Sequence, residues 1–274
     1  YARVLHALGD PEADQAHFEK AEELLRRALA IRESLASRPD ATAEDRSLLS
    51  IALVRVGDIA GAHRLFQEQR SFYERALSID QSLVTQFPAS PHFASNLAFS
   101  YERLGELART QGDIPNAVRY HGMQTALVGT LESLGESPSK ARWAVMSAKS
   151  MLPALLELRG LPEQALEARQ DLVRDLESYV REDPGSKPLR MRLCSALLSV
   201  SSTFGSRGDE TSAMHTAQRA VEVLTPLETS DPHDAVVLST LADAWGGLAR
   251  RRVAAGDNAG AIEAGSTEPL QHSS

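Results

Sequence analysis

"YERLGELARTQGDIPNA", residues 101–117, reads as helix on both sides of two glycines, Gly105 and Gly112. Glycine costs about 1 kcal/mol against alanine inside a helix, so two of them within one helical phrase need a structural reason. The rest of the chain supplies it, because a glycine followed by a turn residue recurs at Gly9-Asp10, Gly57-Asp58, Gly112-Asp113, Gly160-Leu161, Gly208-Asp209 and Gly256-Asp257. In sequence numbering the intervals are 57 − 9 = 48, 112 − 57 = 55, 160 − 112 = 48, 208 − 160 = 48 and 256 − 208 = 48. A fixed period of this size marks stacked supersecondary units. The long interval exceeds the others by 55 − 48 = 7. Seven positions make about two helical turns, which reads as an insertion that lengthens a helix and keeps its faces in place.

Other positions keep their chemistry within the period. From Gly57 onward, five residues after the glycine stands Ala62, Ala117, Ala165, Ala213 or Ala261, and eight before it stands Leu49, Leu104, Leu152, Val200 or Leu248. The last set is followed by Ser50, Gly105, Pro153, Ser201 and Ala249, small residues apart from Pro153. A large apolar residue beside a small one, then a turn, then alanine, is what two close-packed antiparallel helices require. Between these units lie Pro39, Pro88, Pro138, Pro184 and Pro232. Proline lacks a donor and restricts its predecessor, so each marks a helix end or the first turn of the next helix. Thr42, Ser90, Ser137 and Ser230 are candidate N-caps, Thr42 forming a capping box with Asp45. Gly105 then sits where two helices touch, Gly112 ends the first of them in a left-handed conformation, and Pro153 in the place of Gly105 should kink or split its helix.

The composition agrees. Of 274 residues 24% are charged and only 5% aromatic, and no period-two alternation bounded by turns is present, so the fold class is all-α. A net charge of −8 argues against nucleic acid, whose binding rests on neutralising phosphates with Lys and Arg. Cys194 is the single cysteine, which leaves no internal disulfide and no CxxC pair; together with the lack of a signal-peptide pattern and of any membrane-length apolar run, this makes the cytoplasm the expected compartment. The first residues read as the end of a helix, and residues 265–274 as a disordered polar tail. We therefore expect a repeat domain over 1–264 with partial first and last repeats, forming the C-terminal part of a longer protein.

The phrase at 101–117, with its aromatic, Leu-Gly, Gly-Asp and Ala positions, and "FYERALSIDQSLVTQFP" at 72–88 resemble the tetratricopeptide repeat (TPR) family. The resemblance implies an α-solenoid, a right-handed superhelix of antiparallel helix hairpins. It covers residues 1–264, strongest near 71–120. The usual repeat of the family is about 34 residues long. The period of this chain is longer by 48 − 34 = 14, so the helices should be elongated.

The resemblance also implies a concave groove, lined by the first helix of each repeat, that receives a peptide or helix of a protein partner. The Gly-Asp register places Ser47, Glu102, Ser150, Leu198 and Gly246 in one row, Ile51, Glu106, Ala154, Ser202 and Arg250 in the next, and Val54, Arg109, Glu157, Gly205 and Val253 in a third, with Arg103 beside the first. The candidate partner-binding residues are Glu102, Arg103, Glu106, Arg109, Ser150, Glu157, Ser202 and Arg250. The first four also read as an i,i+3 and i,i+4 salt-bridge ladder on an exposed helix, and Trp143 and Trp245 read as core anchors rather than binding hot spots. The lining lacks the Lys and Asn set with which some family members clamp a C-terminal carboxylate.

No P-loop, GxGxxG, HExxH, GxSxG or EF-hand pattern occurs, so no catalytic residue and no cofactor is assigned. His233, flanked in "DPHD" by Asp231 and Asp234, falls short of the three or four converging ligands that a metal needs. The expected function is a non-catalytic interaction scaffold, with self-association through open solenoid ends as a further possibility. The alternative is the regulatory or substrate-targeting arm of a bacterial serine/threonine protein kinase, because "RRALAIRESLASRPD" and "YERALSIDQSL" resemble the repeats that trail such kinases.

Overall fold

The computed structural model describes residues 11–131, 133–257 and 260–262. The partial first helix before Gly9 and the tail at 265–274 lie outside them. Ten helices and no strand are found among the described residues: α1 (Pro11–Ala36), α2 (Ala43–Ala62), α3 (Phe66–Gln86), α4 (Pro91–Thr110), α5 (Ile114–Val128), α6 (Pro138–Leu158), α7 (Pro162–Glu182), α8 (Lys187–Ser206), α9 (Glu210–Ser230) and α10 (Ala235–Ala254). The chain divides into two compact units, one ending at Ala148 and one beginning at Lys149. In the first, α1 to α5 pack each on the next, and α2 also touches α4; in the second, α7 to α10 do the same, and α8 also touches α10. The fold is a run of TPR-like helix hairpins with long helices. First helices such as α2 and α4 have 20 residues and second helices such as α3 and α9 have 21. At 1.5 Å per residue each is about 30 Å long.

The repeat is stricter than its Gly-Asp signals indicate. First helices end at Ala62, Thr110, Leu158, Ser206 and Ala254, and second helices begin at Phe66, Ile114, Pro162 and Glu210, so that every step has the same length (110 − 62 = 48, 114 − 66 = 48). The expected insertion of seven does not exist. Gly57-Asp58 is not a turn: it lies inside α2, and Gly57 corresponds to Gly105 (105 − 57 = 48). The turn after α2 is made by Arg64, whose φ of 60° matches the 74°, 78°, 79° and 82° of Gly112, Gly160, Gly208 and Gly256. Hydrogen bonding explains why the sequence pattern deceives. After the left-handed residue, the next N–H bonds five residues back, as in Asp113 to Ala108 (2.9 Å), Asp209 to Phe204 (3.0 Å) and Leu65 to Ala60 (2.9 Å). This closes the first helix. Where that next residue is Asp it caps the second helix, Asp113 accepting from Asn116 N–H (3.2 Å) and Asp209 from Ser212 N–H (3.1 Å). Gly-Asp thus ends one helix and starts another, but the hairpin forms equally with Arg64-Leu65.

The corrected register explains the helix contacts. Gly57 faces Tyr73, and a Cβ at Gly57 would stand 2.6 Å from the ring; one at Gly105 would stand 2.8 Å from Nε2 of His121. Tyr73 and His121 are themselves one period apart (121 − 73 = 48). In the fourth repeat the matching pair is Ser201 and Ala217, and Ser201 Oγ donates to the Ala213 carbonyl at 2.7 Å. A large second-helix residue goes with glycine on the first, and a small one with serine. The other anchors repeat as Val56, Leu104, Val200 and Leu248, all buried, whereas Leu49 belongs with Leu97, Leu193 and Leu241.

Thr42 and Asp45 form the capping box, with Asp45 N–H to Thr42 Oγ1 at 3.1 Å and Thr42 N–H to Asp45 Oδ2 at 2.9 Å, and Ser90 caps α4. Ser230 does not cap. It is the last residue of α9, and Asp234 caps α10 by accepting from Val236 and Val237. Pro153 is buried without splitting α6, which runs through it; the helix gives up one donor at that point and continues to Leu158. Trp143 is not a core anchor, being 56% exposed. Trp245 is half-buried at the position of Leu53, Tyr101 and Leu197. Cys194 is fully buried, and burial pushes its thiol up to about 12. Thiolate is the reacting species, so the native chain should leave an aromatic disulfide reagent unconsumed at pH 8 and react with one equivalent after denaturation. Reaction at full rate in the native chain would contradict the placement.

Candidate partner-binding surface

The corrected register changes which residues line the expected rows. Counting from Gly57 places Ser47, Ile51 and Val54 seven positions early; Val54, Asp58 and Gly61 hold the row positions. Ser47 is buried, accepting from Asn96 Nδ2 at 2.9 Å with His92 Nε2 at 3.2 Å, and Val54 is buried in the core.

In the first unit, α4 carries Glu102, Arg103, Glu106 and Arg109. Arg109 Nε donates to Glu106 Oε2 at 2.8 Å, and this bond holds the Glu106 carboxyl below the usual range. Glu102 accepts from Gln124 Nε2 (3.1 Å), whose Oε1 lies 3.1 Å from Nδ1 of buried His121. Because the Gln124 amide nitrogen is spent on Glu102, its carbonyl faces the imidazole, which places the proton on Nδ1. Glu102 is therefore tied to the α4–α5 contact. Arg103 takes another course: its guanidinium lies 4.6 Å over the Phe99 ring, its nearest carboxylate is Asp58 at 3.9 Å, and its Nε is buried without an acceptor.

Arg103 and Glu106 border a concavity of about 600 Å³ between the end of α2, the start of α3 and the end of α4. Its floor is polar. Tyr73 donates to Asp58 Oδ1 at 2.6 Å and accepts from Gln69 Nε2 at 3.0 Å; burial first, and then the Asp58 bond, push the phenol well above its ordinary range. Arg64 and Phe66 form the rim on the α2–α3 side. Sequence reasoning misses Asp58, Arg64 and Tyr73. The signal is present in the one-period spacing of Arg64 from Gly112 and of Tyr73 from His121, but the Gly57-Asp58 pair masks it.

In the second unit, Ser150, Ser202, Glu157 and Arg250 are exposed. Glu157 accepts from Arg169 Nη1 at 2.7 Å, and Arg169 Nε donates to Ser199 Oγ at 3.0 Å, joining α6, α7 and α8. Arg250 lies back along its own helix, close to Gly246 and Gly247. The eight candidates thus divide between the two units. Four share α4, and only Arg103 and Glu106 line the concavity. Among the described residues no group of three or more His, Cys, Asp or Glu could hold a metal ion, and no helix is long and apolar enough to cross a membrane.

No protein-family model matches the sequence, and no curated protein is detectably similar to it in sequence. Solved structures do match. BtubC (BKLC) from P. vanneervenii is 18% identical with a TM-score of 0.58, the alignment covering 94% of both chains. A variant of a Podosopora anserina putative kinesin light chain with nearly identical TPR-like repeats is 16% identical with a TM-score of 0.52, the alignment covering 80% of this chain and 92% of that one. At these identities the likeness establishes the fold, a TPR-like helical repeat.

Proposed function

We propose that the chain is a non-catalytic interaction scaffold that receives a peptide or helix of a protein partner along its first helices. The observation that carries the reading is α4. It is fully packed on one side by Leu97, Leu104 and Leu107, yet sets Arg103 and Glu106 at the border of an open concavity that the chain's own core does not fill. Repeats of this kind build extended surfaces for which binding is the common use.

The test is selection from a displayed library of random 15-residue peptides, followed by titration of the selected peptides. Arg109→Glu is preferred to reversal at Glu102, since Glu102 also supports Gln124; Ser150→Arg with Ser202→Arg adds bulk in the second unit at exposed positions. We expect micromolar peptides that lose at least tenfold in affinity with one of these variants, at unchanged helicity. Failure to select any peptide, or affinity indifferent to both variants, would remove this reading.

A further inference from the structure

We infer that the concavity between α2, α3 and α4 is a receptor for an acidic side chain of an extended partner segment, gripped between Arg64 and Arg103. The inference rests on the scaffold reading and specifies the chemistry of one subsite.

Arg103 is partly buried and carries five N–H donors, yet it donates no hydrogen bond to any described residue; its closest carboxylate oxygen, on Asp58, is 3.9 Å away. The stack on Phe99 at 4.6 Å holds its guanidinium plane in place. An oriented guanidinium without an acceptor is matched by a carboxylate, which can take two of its N–H groups at once. Arg64 supplies a second cation to the lining of the same concavity, and no described carboxylate pairs with it. Its backbone is the independent sign. Arg64 has φ 60° at the position where the other four turns use glycine, a conformation that disfavours any residue with a Cβ. Strained residues cluster where a site needs them.

Of the two carboxylates in the same concavity, Glu106 is paired with the cation of Arg109, whereas Asp58 keeps its charge and faces Arg103 from 3.9 Å, beyond hydrogen-bond reach. Asp58 receives the Tyr73 hydroxyl at 2.6 Å and Glu106 receives Arg109 at 2.8 Å. With Glu106 matched by Arg109, Arg64 and Arg103 against Asp58 leave the concavity a net positive charge, and the guanidinium donors of both arginines stay unfilled. In the following repeats the Arg103 position holds Met151, Ser199 and Gly247, and the Arg64 position holds Gly112, Gly160 and Gly208, so none of them repeats the paired cations. Beside the concavity, Arg64 and Phe66 continue into a shallow apolar patch with Leu65, which is 47% exposed. A segment with an apolar residue next to its acidic one fits both.

The experiment uses an array of 15-residue random peptides probed with the full chain and with Arg64→Gly and Arg103→Met. Both substitutions install what other repeats carry, and Arg64→Gly relieves the turn, so its thermal midpoint should be no lower than that of the wild type. We expect the wild type to capture peptides enriched at least threefold in Asp and Glu, with affinity for a chosen peptide falling about tenfold on Glu→Gln in the peptide and on Arg64→Gly in the protein. Capture without acidic enrichment, or enrichment that survives both variants, overturns the receptor and leaves the scaffold reading standing. Capture of no peptide overturns both.

Discussion

Replacing Asp80 by leucine together with Ser100 by alanine should raise the unfolding free energy by about 3 kcal/mol at pH 7 and change it little at pH 4. Asp80 is 1% exposed in α3, where the matching positions of the other repeats are Val128, Leu176 and Leu224, all buried. Its neighbours change with it. Ser100 stands where Ala52, Ala148, Ala196 and Ala244 stand elsewhere, and Ser50 where Ala98 and Cys194 do. Ser100 Oγ donates to Asp80 Oδ2 at 2.6 Å, while Oδ1 is buried without a partner. Ser50 sits alongside, its hydroxyl 3.5 Å from the Ala76 carbonyl. Burial outweighs the hydrogen bonds and lifts the Asp80 carboxyl from 3.8 to about 6.

The sign follows from proton counting. Between pH 4 and 6 the folded chain holds a proton that the unfolded chain has lost, so stability falls as pH rises through this window and the loss is complete above the folded value. A shift of about 2 units corresponds to roughly 3 kcal/mol at about 1.36 kcal/mol per unit. The carboxyls of Asp45, Asp113, Asp209 and Asp234, depressed first by their side-chain hydrogen bonds, act oppositely, contributing above the unfolded range and losing that contribution as pH falls through their lowered values. They are common to both proteins and cancel in the difference. Urea unfolding of wild type and variant from pH 4 to 8 should therefore give curves that separate between pH 4 and 6. Parallel curves would show that Asp80 is not the buried acid described here.

Gly57→Ala should destabilise the chain by about 2 kcal/mol although alanine is the better helix former. The new Cβ would stand 2.6 Å from the Tyr73 ring and 3.3 Å from Phe72 Cβ. Tyr73 cannot swing aside without breaking its bonds to Asp58 and Gln69. Overpacking of this kind costs about 1–3 kcal/mol, of which helix propensity returns at most about 1 kcal/mol. One repeat along, Gly105→Ser with His121→Ala reproduces the Ser201 and Ala217 pairing. The double variant should be more stable than the two single effects together imply, by about 1 kcal/mol or more of coupling. Thermal or urea unfolding of the single and double variants measures this, and strict additivity would show that the two positions do not share space.

The helical class, the period of 48, the hairpin turns at Gly112, Gly160 and Gly208 and the capping box at Thr42 are legible without coordinates, because each depends on local backbone chemistry that a residue type announces. The turn at Arg64 is not. Its geometry comes from closure of α2 against α3, which carries a non-glycine residue into the left-handed region, and Gly57-Asp58 offers a better local match seven positions earlier. Two turns of helix return the chain to nearly the same face, so the misplaced rows still fall on the correct side of α2 while naming Ser47 and Ile51 in place of Val54 and Asp58.

The candidate surface divides in the same way. The sequence by itself determined that α4 carries Glu102, Arg103, Glu106 and Arg109 on closely spaced turns, since about 3.6 residues per turn is a property of the helical chain. Only the tertiary structure decided which of these charges are engaged, because engagement depends on how the side chains are packed: Gln124 of α5 on Glu102, Phe99 and Asp58 around Arg103, and Tyr73 from α3 beneath the concavity. The buried Asp80 shows the same limit. Its sequence neighbours are those of an exposed helical residue, and only the packing of α2, α3 and α4 around it turns an ordinary carboxylate into a buried acid.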